Sequence, residues 1–273
     1  MKSPILSVTE LADLLGQATL HIIDCRHELS NLEAGREAYL VAHLPGARHL
    51  HLDEDLSGAI IPGKTGRHPL PEMADFVRVL VREGVTPNSV VVAYDDKGGG
   101  IAARLWWMLR AIGHEKVFIL DGGIQAWRDA GLALEDGPER PPATGAPYPA
   151  PSTFPGTCDR AQLTNGRPLI DSRTAPRYRG EHEPIDPVAG HIPGAVNYPW
   201  PENLRDGHFK SREELKIRFA ALHDEADRPT FYCGSGVTAC HNLLAYEYAY
   251  GELATLYPGS WSEWLIYENK GEG

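Results

Sequence analysis

Cysteine is scarce. The 273 residues hold four, Cys25, Cys158, Cys233 and Cys240. They are too few for a disulfide framework and lack metal-ligand spacing, so neither a thiol-stapled scaffold nor a bound metal is expected. Positive charge is short as well. Against 37 acidic side chains stand 26 basic ones, a formal charge of −11 that repels a phosphate backbone and argues against a nucleic-acid partner. The opening stretch Met1-Lys2-Ser3-Pro4-Ile5-Leu6 has no apolar run long enough for a leader or a membrane span. No membrane partner is therefore expected, and a reducing cytoplasm is the expected location. What is present, 42% hydrophobic and 23% charged residues, is a globular composition, long enough for two domains with separate cores.

The chemistry concentrates in Phe231-Tyr232-Cys233-Gly234-Ser235-Gly236-Val237-Thr238-Ala239-Cys240. Pro229-Thr230-Phe231-Tyr232 reads as the end of a short buried strand, and His241 to Tyr246 as a helix with an apolar face. A tight loop between strand and helix turns its backbone N–H groups inward and adds the positive end of the helix dipole. Such a loop binds anions and lowers the pKa of a thiol at its centre, which makes Cys233 a candidate nucleophile. The competing reading is a small buried hydrophobe. Gly234 and Gly236 weigh against it, because mere packing needs neither φ > 0 nor a close backbone approach. A Cys-x5-Arg phosphatase needs a guanidinium at position 239, which is alanine here. A single sulfur atom suits the loop better than a phosphoryl group. The expected chemistry is covalent: Cys233 takes a sulfane sulfur and carries it as a persulfide, with Gly234, Gly236, Val237 and Thr238 forming the cradle that binds it. Cys240, Cys25 and Cys158 read as buried small residues.

The chain also repeats itself. Ile22-Ile23-Asp24-Cys25-Arg26 is echoed by Leu169-Ile170-Asp171-Ser172-Arg173, and His43-Leu44-Pro45-Gly46-Ala47 by His191-Ile192-Pro193-Gly194-Ala195. Val90 to Asp95 answers Thr230 to Cys233, and Leu120-Asp121-Gly122-Gly123 with Trp127 answers Tyr257-Pro258-Gly259-Ser260 with Trp264. Matched landmarks in one order indicate a tandem duplication. Each half alternates apolar strands with helical patterns, which predicts α/β domains with mainly parallel sheets. In the first half, helices are expected over Ser7 to Leu15 (capped by Ser7 or Thr9), Glu72 to Glu83 and Ile101 to Ile112, and strands at Ile22-Ile23 and Val90 to Tyr94. The prolines between Glu135 and Pro155 (Pro138, Pro141, Pro142, Pro147, Pro149, Pro151, Pro155) predict an extended connector. The expected domains are 1–134 and 156–273, joined by 135–155.

Cys233-Gly234-Ser235-Gly236-Val237-Thr238-Ala239, with the His-x-Pro-Gly turns and the aspartates at strand ends, resembles the two-domain rhodanese superfamily, and within it the 3-mercaptopyruvate sulfurtransferases. Thiosulfate sulfurtransferases of that superfamily typically carry Cys-Arg-Lys-Gly-Val-Thr instead. The resemblance implies tandem rhodanese-like domains of parallel sheet flanked by helices, no cofactor, and persulfide chemistry on Cys233. Asp95 stands where the first copy should have its cysteine, so that domain is expected to be catalytically silent. The resemblance further implies a proton relay of Ser235, His68 and Asp53, the last two reaching in from the first domain. Arg177, in Arg177-Tyr178-Arg179-Gly180, matches the first of two substrate-binding arginines. The second is missing from its usual place, where this chain has Ile185-Asp186-Pro187, so carboxylate binding is expected to be weak. The donor implied is 3-mercaptopyruvate, the alternatives being thiosulfate or a binding module without activity. A small-molecule donor and a thiol acceptor, thioredoxin-like for instance, or cyanide complete the expected partners.

Overall fold

Short runs of valine, isoleucine, leucine and aromatics punctuated by turn residues build the two parallel sheets of the protein, seen in a computed structural model that describes residues 3–138, 147–164, 167–225 and 227–268. By its internal contacts the chain forms two units, Met1–Gly58 with Pro71–Pro155, and Ala59–Leu70 with Gly156–Gly273. The 59–70 segment, expected in the first domain, thus belongs with the second unit.

In unit 1 the order along the chain is β1 (Ile5–Leu6), α1 (Val8–Leu14), β2 (Leu20–Asp24), α2 (Ala34–Val41), β3 (Arg48–His49), α3 (Met73–Arg82), β4 (Val90–Tyr94), α4 (Ala102–Ala111), β5 (Val117–Leu120) and α5 (Gly123–Asp129). The sheet runs β1-β5-β4-β2-β3 with every neighbour parallel. Central strand β4 is apolar on both faces, as a strand covered by helices on each side must be. Ser7 rather than Thr9 caps α1, in a reciprocal capping box with Glu10. Leu11 is buried there, but Leu15, expected inside the helix, falls past its end and is exposed.

Unit 2 continues with a 3-10 turn (Arg160–Thr164), β6 (Leu169–Asp171), α6 (Ala175–Tyr178), β7 (Val196–Asn197), a second 3-10 turn (Trp200–Asn203), β8 (Leu204–Arg205), β9 (His208–Phe209), α7 (Arg212–His223), β10 (Thr230–Tyr232), α8 (Ala239–Tyr250), β11 (Thr255–Leu256) and α9 (Ser260–Glu268). Its sheet is β11-β10-β6-β7, again all parallel, with β8 and β9 as a separate antiparallel pair. Helix α8 is buried nearly all round, although an apolar face alone was expected. Its buried Asn242 is satisfied by other segments: Asn203 Nδ2 donates to Asn242 Oδ1 at 2.7 Å, and Asn242 Nδ2 donates to the Ser172 hydroxyl at 2.9 Å and to the Tyr198 carbonyl at 2.7 Å. Paired in this way, they can be desolvated at little net cost.

The duplication extends to individual hydrogen bonds. Arg26 closes on Asp24 and on the Ala42 carbonyl, and Arg173 closes likewise on Asp171 and the Gly190 carbonyl. Stacking of His43 on Tyr39 and of His191 on Tyr178 is also matched, with ring centroids 3.9 Å apart in both pairs and each histidine Nδ1 on its tyrosine's carbonyl at 2.8 Å. These histidines pin a helix end to the Pro-Gly turn. Of the proline-rich connector, Pro141 and Pro142 lie outside the described residues. Its start is tied by an antiparallel bridge between Glu135 and His43, and at its end Phe154 packs on Phe76 and Trp107.

Candidate active site

Strand β10 stops at Tyr232 and helix α8 starts at Ala239, leaving residues 233–238 as the loop that the sequence singles out. The start of α9 holds this loop in place. The N–H of Trp261 donates to the Cys233 carbonyl at 3.0 Å, that of Ser262 to the Gly234 carbonyl at 2.9 Å, and the Cys233 N–H to the Ser260 hydroxyl at 3.2 Å. Ser260 sits at φ 57, a left-handed conformation that costs a non-glycine residue roughly 1–2 kcal/mol. The two glycines work differently from one another. Gly236 has φ 77, and a Cβ there would stand 2.4 Å from the Pro258 carbonyl oxygen. Gly234 is not left-handed. Its missing side chain leaves room for guanidinium groups, since a Cβ would come within 2.8 Å of Arg67 Nη2 and 3.3 Å of Arg177 Nη2.

Cys233 is buried at 2% exposure, and its sulfur accepts the Gly236 N–H at 3.2 Å. Burial pushes its pKa up, but the Thr238 hydroxyl and the N–H groups of Ser235, Ala239 and Gly236 more than offset this, so the thiol is more acidic than an ordinary cysteine. Ser235 is buried beside it, its hydroxyl 2.7 Å from His68 Nδ1. His68 comes from the 59–70 segment, so this contact forms within unit 2 rather than between domains. The segment is seated by the Arg67 N–H on Ser262 Oγ at 3.2 Å and by Gly66, whose absent Cβ would fall 2.6 Å from the Gly259 carbonyl oxygen.

Arg177 lies beside the loop, held by Glu183 through Nε and Nη2 and by Asp186 through Nη2 at 3.0 Å. The other Asp186 oxygen pairs with Arg67 Nη1. Asp186, which occupies the region where a second arginine was expected, therefore anchors an arginine from elsewhere in the chain. Burial and then the charge of Arg177 lower the pKa of Arg67, while the Cys233 thiolate favours its charged form. Arg173 is structural, paired with Asp171 and Glu183 and lying over the Trp261 ring. Arg179 is exposed beside Glu181.

The geometry of unit 2 thus unites Cys233, Gly234, Ser235, Gly236, Val237, Thr238, His68 and Arg177. Asp53 belongs to unit 1; its carboxylate is 3.6 Å from His27 Nε2 and 3.9 Å from His51 Nδ1. One ligand atom from each of His27, His51 and Asp53 falls within 4.8 Å of the others. His51 already spends both ring nitrogens, Nε2 on the Leu32 carbonyl and Nδ1 on the Asp53 N–H. Sequence reasoning missed Arg67 and Ser260. Arg67 adjoins the quoted His68, and a buried carboxylate at 186 needed a cation, a need that could have directed attention to it.

Unit 1 carries the same loop with its centre filled. The Asp95 carboxylate accepts N–H groups from Lys97, Gly99, Ile101 and Ala102 at 2.8–2.9 Å, and the Ile124 N–H donates to the Asp95 carbonyl as that of Trp261 does to Cys233. Gly123, at φ 56, occupies the place of Ser260.

The rhodanese-like domain profile matches residues 7–130 and again residues 159–266. The chain is 45% identical to a probable 3-mercaptopyruvate sulfurtransferase of Pseudomonas aeruginosa over 96% of this chain and 94% of that protein. It is 39% identical to the putative thiosulfate sulfurtransferase SseB of Mycobacterium tuberculosis, over 95% and 93% of the two chains. Among solved structures, the 3-mercaptopyruvate sulfurtransferase of Leishmania major superposes with a TM-score of 0.86 at 32% identity, over 96% of this chain and 74% of that one. With two profile matches, two parallel sheets in one chain and a cysteine held among backbone N–H donors in the second copy, the chain belongs to the rhodanese-like family as a tandem of two such domains.

Proposed function

We propose that the protein is a sulfurtransferase that moves the sulfur of 3-mercaptopyruvate through a Cys233 persulfide to a thiol or to cyanide. The carrying observation is the acidified Cys233 thiol inside a ring of N–H donors. The thiolate attacks the donor sulfur, the sulfur–carbon bond breaks, and its electron pair stays on carbon. The donor's thiol proton moves to that carbon, giving pyruvate and the anion Cys233–S–S⁻. Ser235 and His68, in hydrogen-bond contact, are placed to pass the proton. The persulfide anion is bound by the N–H groups that held the thiolate, which favours its formation. A thiol acceptor then takes the outer sulfur as its own persulfide, or cyanide leaves as thiocyanate, and the thiolate returns.

In this reading domain 1–134 is catalytically silent, because Asp95 fills its own cradle, and 156–273 is catalytic with help from the 59–70 segment. Asp53 is the third member of the relay by family resemblance. Four free cysteines fit a reducing compartment, which supports a cytoplasmic location. No helix among the described residues is long and apolar enough to cross a membrane.

The SseB relationship and the paired arginines favour a second reading, thiosulfate as donor. Steady-state kinetics with both donors, measuring pyruvate and thiocyanate, decides between them by kcat/KM. Intact-mass analysis after donor treatment should show one added sulfur on the wild type and none on Cys233→Ser. Sulfur persisting on that variant would overturn the assignment, and no turnover of either donor would leave the binding-module reading.

A further inference from the structure

Beside the catalytic loop, unit 2 groups two guanidinium groups, Arg67 and Arg177, with two carboxylates, Glu183 and Asp186. The charges cancel, but the hydrogen bonds are unevenly shared. Glu183 occupies Nε and Nη2 of Arg177, and Asp186 bridges Nη2 of Arg177 to Nη1 of Arg67. Nε of Arg67 is buried and has no hydrogen-bond partner among the described residues. A buried donor left in this state is costly unless a ligand completes it. The same guanidinium stands over Gly234, 2.8 Å from where a Cβ would be, and its charge is felt by the Cys233 thiolate. Because Gly234 does not need a left-handed backbone, space for this arginine is the physical reason for a glycine there.

We propose that Arg67 is the donor-recognition residue of the site, presenting its uncommitted N–H to an oxyanion of the sulfur donor above Gly234, with Asp186 positioning it against Arg177. This rests on the sulfurtransferase reading. The oxyanion is the carboxylate of a 2-oxo-3-thio acid or the sulfonate end of thiosulfate, since both offer oxygens to a planar fork of donors. Arg177 alone is a poor clamp, because two of its three nitrogens are taken by Glu183 and Asp186. Asp186, only 1% exposed at its side chain, fixes Arg67 in place as a buried counter-charge.

The test is calorimetric titration of pyruvate and of thiosulfate into the Cys233→Ser protein, which removes turnover but leaves the anion site. Adding Arg67→Ala should weaken binding by on the order of ten- to a hundredfold, the loss of one charged hydrogen-bond partner. Arg67→Lys should restore it only in part, since an ammonium cannot hold Asp186 and the ligand in one plane. Gly234→Ala keeps every charge and should weaken binding too, by pushing a methyl into the guanidinium, so the inference stays testable if Arg67→Ala folds poorly. Whichever probe loses more affinity identifies the oxyanion. Unchanged dissociation constants for both probes in Arg67→Ala and Gly234→Ala overturn the inference, even if the wild type turns over its donors. Arg67-dependent binding in a wild type that transfers sulfur from neither donor would instead sink the sulfurtransferase reading, leaving Arg67 as an oxyanion-binding residue and not a donor-recognition one.

Discussion

Burial ordinarily makes a thiol a poor nucleophile, and Cys158 shows the ordinary case, pushed up to about 11 chiefly by desolvation. Cys233 is more deeply buried and yet shifted downward, because Thr238 and the loop N–H groups hydrogen-bond the charged form. The sign is therefore fixed: thiolate persists as pH falls until the lowered pKa is passed, and only below that does reactivity drop. Iodoacetamide alkylation followed by peptide mass mapping should give Cys233 a half-maximal rate at a pH below that of an unburied reference cysteine thiol, with Cys158 and Cys25 unlabelled at neutral pH. A midpoint at or above that of the reference thiol would remove the cradle's role. His68→Ala should lower kcat for mercaptopyruvate more than it raises KM, since the proton moves only during the chemical step. An equal loss in a donor-binding assay would make His68 a binding residue instead.

At the level of elements, α9 performs work that β10 and the loop cannot do alone. Its first residues take the carbonyls of Cys233 and Gly234, and Ser260 accepts the Cys233 N–H from a left-handed backbone. Ser260→Ala keeps the unfavourable φ and strips a buried N–H of its partner, a loss of about 1–3 kcal/mol in urea denaturation. Ser260→Gly relieves the backbone but not the hydrogen bond, so it should regain stability without regaining kcat. Wild-type stability in Ser260→Ala would show that the hydroxyl is idle, and equal behaviour of the two variants would show that the left-handed backbone costs nothing. The strands, helices and loop were legible in the sequence because period and turn residues are local signals, and so was the duplication. Arg67 and Ser260 were not. Their roles depend on contacts such as the Arg67 N–H to Ser262, 195 residues away in the chain. The missing second arginine likewise read as a weak carboxylate site, because a single window around Asp186 cannot show a cation arriving from position 67. The all-round burial of α8 escaped for a related reason, as its polar partners Asn203, Ser172 and Tyr198 lie on other elements.

Over the whole molecule, the two copies show one framework serving two ends. Both clasp the aspartate at a strand end with an arginine two residues on, and both dock the loop carbonyl on a later helix. Asp95→Ala should cost on the order of 3–5 kcal/mol, since several buried N–H groups lose their acceptor together. Asp95→Asn, which keeps one carbonyl oxygen, should cost less by the same denaturation measurement, and a smaller loss for alanine than for asparagine would contradict the account. The filled loop of the first copy also changes how the open one should be regarded. A carboxylate fixed by four N–H donors is a resting point, whereas the loop around Cys233 keeps comparable donors facing a softer, larger sulfur so that a visiting sulfur atom can still gain from them. Reactivity here is a form of withheld stability. Cys233→Asp should then give a protein that is inert toward every donor and melts at a higher temperature than the wild type. A lower melting temperature would mean that the second loop has drifted too far to welcome the anion its sister copy keeps.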